Sequence, residues 1–366
     1  MQKSIMFITN NGNGLYNFRY EIISELRKKR YIIYLVYPNG DRKKEFEKIG
    51  CICLNVTFDS SSTNPFVDIK LFNELKKLIL DYKPDCALLY TIKPCIYGGI
   101  ILKRLEIPYI STVTGISPAL ISEKNYVRWI STFLSRKGYK GASIVFFQNK
   151  MNEEMFKRLK IVPNETLLVA GSGVNLDKFT LQDYPVNDGW IKLLFIGRLK
   201  RIKGIEELSY AVKKAINEGL KVKCKIVGEL GDNLPVFRKS LREGYLEYEG
   251  PTNNVIPYIV WCDAIVQPSY GEGMSNVLQE ASACGRPILA SNIPGCKELF
   301  DEGISGLGFT SKDGESLYKT IKEFCAIPYE KRKIMGLKAR EKMEKEFDRR
   351  NIVAMYVSKV DQLLGE

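Results

Sequence analysis

Short apolar runs alternate with longer stretches of helical spacing from the first residues onward, and this alternation limits the possible folds more than any other feature of the chain. Residues 4–9, 31–37, 86–90 and 109–113 read as strands, and residues 16–29, 68–80 and 96–105 as helices. Right-handed crossovers between such units build an open parallel sheet with helices on both faces. Ligands of such sheets gather beyond the carboxyl ends of the strands. The loops that follow strands are therefore where chemistry is expected.

The pattern restarts after Gly171-Ser172-Gly173. A polar, proline-containing segment, 177–190, separates the strand 166–170 from the next strong one, 191–196. The second half continues with a helix at 205–218, strands at 222–227 and 264–267, a helix at 275–283 and a strand at 287–290. At 366 residues the chain exceeds what one core organises. The expectation is an α/β protein of two doubly wound, Rossmann-like domains, 1–172 and 173–350, followed by a C-terminal helix, 351–366. Residues 330–346, dense in Lys and Glu, read as a solvated helical face.

Two loops after strands carry unusual residues. The first is the stretch from Pro268 to Ala281, PSYGEGMSNVLQEA, which reads as strand end, glycine loop and helix start. Gly271 and Gly273 permit close backbone approach, and the helix opening near Ser275 offers N–H groups to an anion such as a diphosphate. Glu272 on the loop and Glu280 one to two turns into the helix flank that anion site. An E-x₇-E spacing by itself is ordinary surface; its place after a strand gives it weight. The second loop is Gly197-Arg198-Leu199-Lys200-Arg201-Ile202-Lys203-Gly204, at the end of the strand 191–196. Arg198 and Lys203, beside its two glycines, are the candidates to grip phosphate oxygens and to offset negative charge on a departing nucleoside diphosphate.

Charge and composition narrow the chemistry further. The chain has 55 Lys and Arg against 42 Asp and Glu, a formal net charge of +13. Residues 1–172 hold 26 basic and 15 acidic side chains, whereas the remainder is nearly neutral. A basic first half predicts an anionic partner for that half, with nucleic acid and an anionic membrane leaflet as the general candidates. Histidine is absent, which removes Ser-His-Asp and Cys-His hydrolases, histidine zinc sites and HExxH proteases. The nine cysteines form no C-x-x-C pair and sit mostly in apolar runs, so they are expected as buried, reduced thiols in the cytosol. Neither a signal peptide nor a membrane span is expected, and any membrane contact is then peripheral.

The GRLKRIKG stretch, the PSYGEGMSNVLQEASACGRPILASNIPGCKEL stretch and the GSGVNLDKF segment together resemble glycosyltransferase family 4, retaining enzymes of the GT-B fold. The resemblance spans nearly the whole chain. It implies two Rossmann-like domains facing a central cleft, with the C-terminal helix packing back on the first. It also implies that Glu280 holds the ribose hydroxyls of the donor, Arg198 and Lys203 the diphosphate and Glu272 the transferred sugar. The backbone of Gly273, Met274, Ser275, Asn276 and Val277 would cradle phosphate. The donor is then a UDP-sugar and the acceptor a polyprenyl-diphosphate-linked or other surface glycan, as in capsule or lipopolysaccharide assembly. Diphosphate oxygens would take the proton, so no protein base and no cofactor is required. No metal is expected either, since the chain contains no Asp-x-Asp motif.

The first domain is expected to take the acceptor. Gly12 and Gly14, in the turn Asn10-Asn11-Gly12-Asn13-Gly14 after the first strand, are candidate donor contacts across the cleft, with a plain strand-to-helix turn as the other reading. Lys93, after the strand 86–90, is the candidate for an acceptor phosphate. Thr114-Gly115 follows the strand 109–113 where many members of the family carry a histidine on the donor sugar. By that resemblance Thr114 is a candidate donor contact, and threonine there is in keeping with the bacterial branch that extends polyprenyl-linked sugars. Residues 122–141 place Trp129, Ile130, Phe133 and Leu134 on one helical face among Lys124, Arg128, Arg136, Lys137 and Lys140. That helix either packs into the core or lies on anionic lipid. The reading as a whole is a cytoplasmic transferase, peripheral on the inner face of the membrane, with no nucleic-acid partner. The alternatives are a UDP-sugar epimerase of the same fold and a basic nucleic-acid-binding protein, for which no RNP, KH or zinc-finger pattern is present.

Overall fold

The computed structural model of the chain describes residues 2–58, 65–163 and 165–366. Two compact units emerge: Met1–Ser172 together with Arg350–Glu366, and Gly173–Arg349.

In the first unit the strands β1 (Ser4–Ile8), β2 (Ile32–Tyr37), β3 (Ile52–Asn55), β4 (Cys86–Tyr90), β5 (Tyr109–Val113), β6 (Ile144–Phe147) and β7 (Thr166–Leu168) form one parallel sheet in the order β3-β2-β1-β4-β5-β6-β7. Alternate side chains explain why these runs are apolar at nearly every position. Phe7, Leu35, Leu88 and Phe146 face one helical layer. Met6, Val36, Leu89 and Val145 face the other. The chain's last helix belongs to the first of these layers. Tyr356 packs edge-on against Phe146, with ring centroids 4.5 Å apart, and its hydroxyl shares a 2.8 Å hydrogen bond with Thr112 Oγ1. The hydroxyl of Tyr31 donates to Asp361 Oδ1 at 2.9 Å. The C-terminal helix thus completes the core that the N-terminal strands begin.

In the second unit β8 (Ile191–Ile196), β9 (Val222–Val227), β10 (Glu247–Gly250), β11 (Ala264–Gln267), β12 (Ile288–Ser291) and β13 (Gly306–Phe309) form a second parallel sheet, ordered β10-β9-β8-β11-β12-β13. Its core packs Leu193 and Phe195 of β8 and Ile226 of β9 against Leu208, Ala211 and Val212 of the helix Ile205–Asn217. Strand order reverses between β1 and β4 in the first sheet and between β8 and β11 in the second. A doubly wound sheet opens a crevice at such a reversal, because successive connections there leave to opposite faces.

The segment expected to be a solvated face is a helix, Tyr329–Glu346, that also docks. It buries Arg332, Met335, Gly336, Ala339 and Met343. A Cβ on Gly336 would stand 2.1 Å from the carbonyl oxygen of Gly285. Arg340 Nη1 donates to the carbonyls of Phe179 and Ala283 at 2.7 and 2.8 Å. The docking stripe is built from small residues and Met, so abundant Lys and Glu on the other sides mask it in the sequence. Beneath it Arg286 is fully buried. Its guanidinium donates to the carbonyls of Ile259, Cys284 and Asp183 at 2.9, 3.1 and 2.7 Å and lies 5.6 Å from the centre of the Tyr184 ring. Among the described residues, its six hydrogen bonds all go to main-chain oxygens.

Candidate functional site

The loops after β8 and β11 flank the reversal of the second sheet, and the two clusters singled out in the sequence are these loops. They cross at Gly204, whose φ of +69° is the left-handed region and whose notional Cβ would lie 1.9 Å from the carbonyl oxygen of Pro268. No other residue fits both the conformation and the contact. The Tyr270 N–H donates to the Ile202 carbonyl at 2.9 Å, which ties the loops together at a second point.

This crossing brings Lys203 to Glu272. Lys203 Nζ lies 2.5 Å from Glu272 Oε1. The same oxygen accepts from Ser269 Oγ at 2.7 Å and from Gln267 Nε2 at 3.3 Å. Ser269 and Gln267 are themselves buried, so Glu272 is held by a rigid base at the end of β11. Three donors on one oxygen preorganise the carboxylate.

The neighbouring cations are paired as well. Arg198 lies 3.8 Å from Glu229, and Arg201 lies 3.5 Å from Glu206. Repulsion among the cations of this loop is offset by Glu229, Glu206 and Glu272, which pair with Arg198, Arg201 and Lys203. Arg198 is also the more exposed of the two candidate phosphate cations, 59 % against 27 % for Lys203.

The helix Asn276–Ala283 starts after Ser275, whose Oγ accepts from the Leu278 N–H as an N-cap. The Ser275 N–H already donates to the Gly295 carbonyl at 2.9 Å. That bond takes Ser275 out of the backbone donors that can receive a phosphate. Sequence reasoning gave the loop after β12 no role of its own; its Gly295, at φ +85°, comes so close that a Cβ there would stand 2.6 Å from the Gly273 carbonyl oxygen. Met274 is buried, and Asn276 and Val277 are half-buried at the first turn. Asn276 Oδ1 is buried and has no hydrogen-bond partner among the described residues.

Glu280 lies one turn further on. Burial raises its carboxyl to about 7, against the pull of Lys178 and Arg349. A carboxyl kept so far from its ordinary value, beside an unsatisfied amide oxygen in the same helix, is the kind of group found where a ligand binds.

In the first unit the picture is mixed. Gly12 opens the helix Gly12–Lys28, and a Cβ there would meet the Tyr37 ring at 2.7 Å. Its smallness serves packing. Gly14 donates its N–H to Asn11 Oδ1, the helix cap, at 3.1 Å. Thr114 is half-buried just past β5. Lys93 is neither solvated nor open to a ligand at its amine without exchange: its Nζ lies 2.9 Å from Asp68 Oδ1, and Tyr97 OH donates to Asp68 Oδ2 at 2.8 Å. Thr91, which the sequence gave no reason to single out, follows β4 at the reversal of this sheet. Its φ of +70° is rare for a β-branched residue, and its Oγ1 is buried without a partner among the described residues.

Comparison with known proteins covers both units. The family model described as glycosyl transferase 4-like matches residues 4–149, and that described as glycosyl transferases group 1 matches residues 191–326. The chain is 26 % identical over 333 residues to the N,N'-diacetylbacillosaminyl-diphospho-undecaprenol alpha-1,3-N-acetylgalactosaminyltransferase of Campylobacter jejuni, covering 87 % of this chain and 88 % of that protein. It is 24 % identical over 353 residues to the capsular polysaccharide biosynthesis glycosyltransferase CapM of Staphylococcus aureus, covering 89 % and 88 %. Among solved structures, Anabaena Alr3699/HepE in complex with UDP-glucose superposes with a TM-score of 0.78 at 17 % identity, covering 98 % of this chain and 99 % of that one.

Proposed function

This chain belongs to the glycosyltransferase family described by the 4-like and group 1 models and has the GT-B fold, and from that premise we propose that it moves a hexose or N-acetylhexosamine from a UDP-sugar to a polyprenyl-diphosphate-linked or other surface-glycan acceptor. The transfer keeps the anomeric configuration and uses no metal. The enzyme works as a peripheral protein on the inner face of the cytoplasmic membrane.

One observation carries this reading: Lys203 and Glu272 converge from two loops at the reversal of the second sheet. A cation for the diphosphate and a carboxylate for sugar hydroxyls are what a nucleotide-sugar needs side by side. The lipid-linked acceptor draws support from the name of the Campylobacter relative, and the UDP donor from the ligand of the Anabaena structure.

In the reaction the acceptor hydroxyl attacks the anomeric carbon while the bond from that carbon to the diphosphate oxygen breaks. The hydroxyl proton passes to a diphosphate oxygen, and UDP leaves. Negative charge grows on the diphosphate as the bond stretches, and Lys203 and Arg198 offset it. Glu272 orients the sugar, and Glu280 receives hydrogen bonds from the ribose. The backbone of Gly273, Met274, Asn276 and Val277 is the part of this turn proposed to face phosphate.

UDP release from UDP-Glc, UDP-Gal, UDP-GlcNAc and UDP-GalNAc, with and without polyprenyl-diphosphate-linked glycans, tests the proposal. Acceptor-dependent release that persists in EDTA supports it. Release from none of the four donors, or a product of inverted configuration, refutes it.

A further inference from the structure

The helix Asn125–Tyr139 is built inside out. Its inward positions are Thr132, Ser135, Gly138 and Tyr139, whereas Tyr126, Trp129, Ile130 and Phe133 point outward with exposures of 65, 69, 48 and 46 %. A helix on a water-soluble surface shows the reverse arrangement. Of the two readings open in the sequence, core packing is thus ruled out for Trp129, Ile130 and Phe133, while Leu134 alone packs partly against the core.

The helix cannot roll to bury its aromatic face. A Cβ on Gly138 would stand 2.6 Å from the backbone of Ile96, and one on Gly99 would stand 2.2 Å from the Gly138 carbonyl oxygen. Backbone meets backbone on the inner side, and only glycine fits there. The outer face is ordered rather than collapsed: the Trp129 and Phe133 rings stack 5.8 Å apart at an interplanar angle of 10°, and Lys137 Nζ lies 5.5 Å from the centre of the Phe133 ring. Ile121, at the end of the preceding turn, is 64 % exposed and extends the apolar patch.

Around this patch the exposed charges are predominantly cationic. Lys124, Arg128, Arg136, Lys137 and Lys140 are all exposed, against the single acid Glu123 within residues 122–141. Lys103 lies alongside, since a Cβ on Gly141 would stand 2.6 Å from its Cδ. An apolar, aromatic centre with a cationic rim matches the boundary zone of an anionic bilayer, where Trp and Tyr rings settle at the headgroups and Lys and Arg meet phosphates. A second copy of the chain fits poorly, because a two-fold contact would set this rim against itself.

We propose that the outward face of the helix Asn125–Tyr139 is the membrane-docking surface of the protein, with Trp129, Ile130 and Phe133 seated in the interface of an anionic bilayer and the surrounding Lys and Arg on its headgroups. The choice of a membrane as partner rests on the lipid-linked acceptor proposed above; the surface itself does not.

Flotation of the full chain with vesicles that hold neither donor nor acceptor separates the two. Wild-type protein floats with phosphatidylglycerol-containing vesicles and not with pure phosphatidylcholine. The W129S/F133S variant, with unchanged far-UV circular dichroism, binds at least about tenfold more weakly. The R136Q/K137Q/K140Q variant loses the dependence on phosphatidylglycerol. Equal flotation of wild type and W129S/F133S overturns the proposal. So does a wild-type dimer in light scattering that W129S/F133S disperses, which would assign the face to a second copy. Protein that floats as described yet releases no UDP from any donor leaves the docking surface standing and removes the catalytic reading alone.

Discussion

Lys203 Nζ and Glu272 Oε1 stand 2.5 Å apart, although 69 positions separate them in the chain. The two loops that carry them cross at Gly204, so the pair is a product of topology. In the free protein the cation and carboxylate satisfy each other. On the function proposed above, a donor enters between them and exchanges one ion pair for contacts to a diphosphate and a sugar.

Removing either partner should therefore cost catalysis far more than folding. Lys203→Ala and Glu272→Ala are each expected to lower turnover by about 10²- to 10³-fold. The double variant should lose much less than the product of the two, because both act on one bound donor. Steady-state UDP release on the four proteins checks this, and a fully multiplicative loss would sink the idea of a shared site.

Glu280 makes two pH-dependent outcomes. Its carboxyl, ordinarily near 4.5, is raised by burial to about 7, so the folded protein holds a proton that the unfolded chain has released between those values. Stability contributed by the neutral form is complete below about 4.5 and is lost as the pH rises towards 7. Glu280→Gln should accordingly raise the melting temperature of the free protein at pH 8 and leave it unchanged at pH 4. A carboxylate that accepts from ribose hydroxyls should also make UDP bind more tightly as pH rises through 7. The terminal phosphate of UDP titrates at about pH 6 in both proteins, so calorimetric titration should show the Glu280 contribution as an additional inflection at about 7 in the wild type that Glu280→Gln lacks.

Gly204→Ala should be more damaging than an ordinary loop substitution. The new methyl group would meet the Pro268 carbonyl oxygen at 1.9 Å, and the left-handed backbone disfavours it independently. Parting the loops separates Lys203 from Glu272, so donor affinity should fall along with the melting temperature. Retained UDP affinity in a destabilised variant would mean that the crossing supports the fold alone.

Arg286→Met should cost about 3 kcal/mol or more, because it leaves several buried carbonyls without donors. Arg286→Lys should recover only a part, since one ammonium cannot reproduce the forked contacts to Ile259, Cys284 and Asp183. Urea unfolding measures both, and equal stability of the Met variant would show that these carbonyls find other partners.

Periodicity in the sequence was enough for the βαβ alternation, for most strands of both sheets and for the two loops that bear Lys203 and Glu272. Those features are local. An apolar run flanked by helical spacing marks a strand whatever lies beside it, and a loop that follows a strand must emerge at the carboxyl edge. Edge strands were harder to see. β10 reads Glu-Tyr-Glu-Gly and β13 reads Gly-Leu-Gly-Phe, compositions that disfavour strands. Gly306 belongs in β13 because a Cβ there would meet the Ile288 carbonyl oxygen at 2.5 Å, a contact that no local pattern encodes.

The sequence by itself determined which residues share a face and which loops leave the carboxyl ends of strands, since both follow from the spacing of side chains along a regular backbone. Only the tertiary structure decided what each face meets. It turned Trp129 and Phe133 outward by pressing Gly138 against Ile96, tied Lys93 to Asp68, gave the Ser275 N–H to Gly295 and docked a charge-laced helix through Gly336. Each of these depends on a partner far away in the chain, and spacing along one segment carries no information about its neighbour.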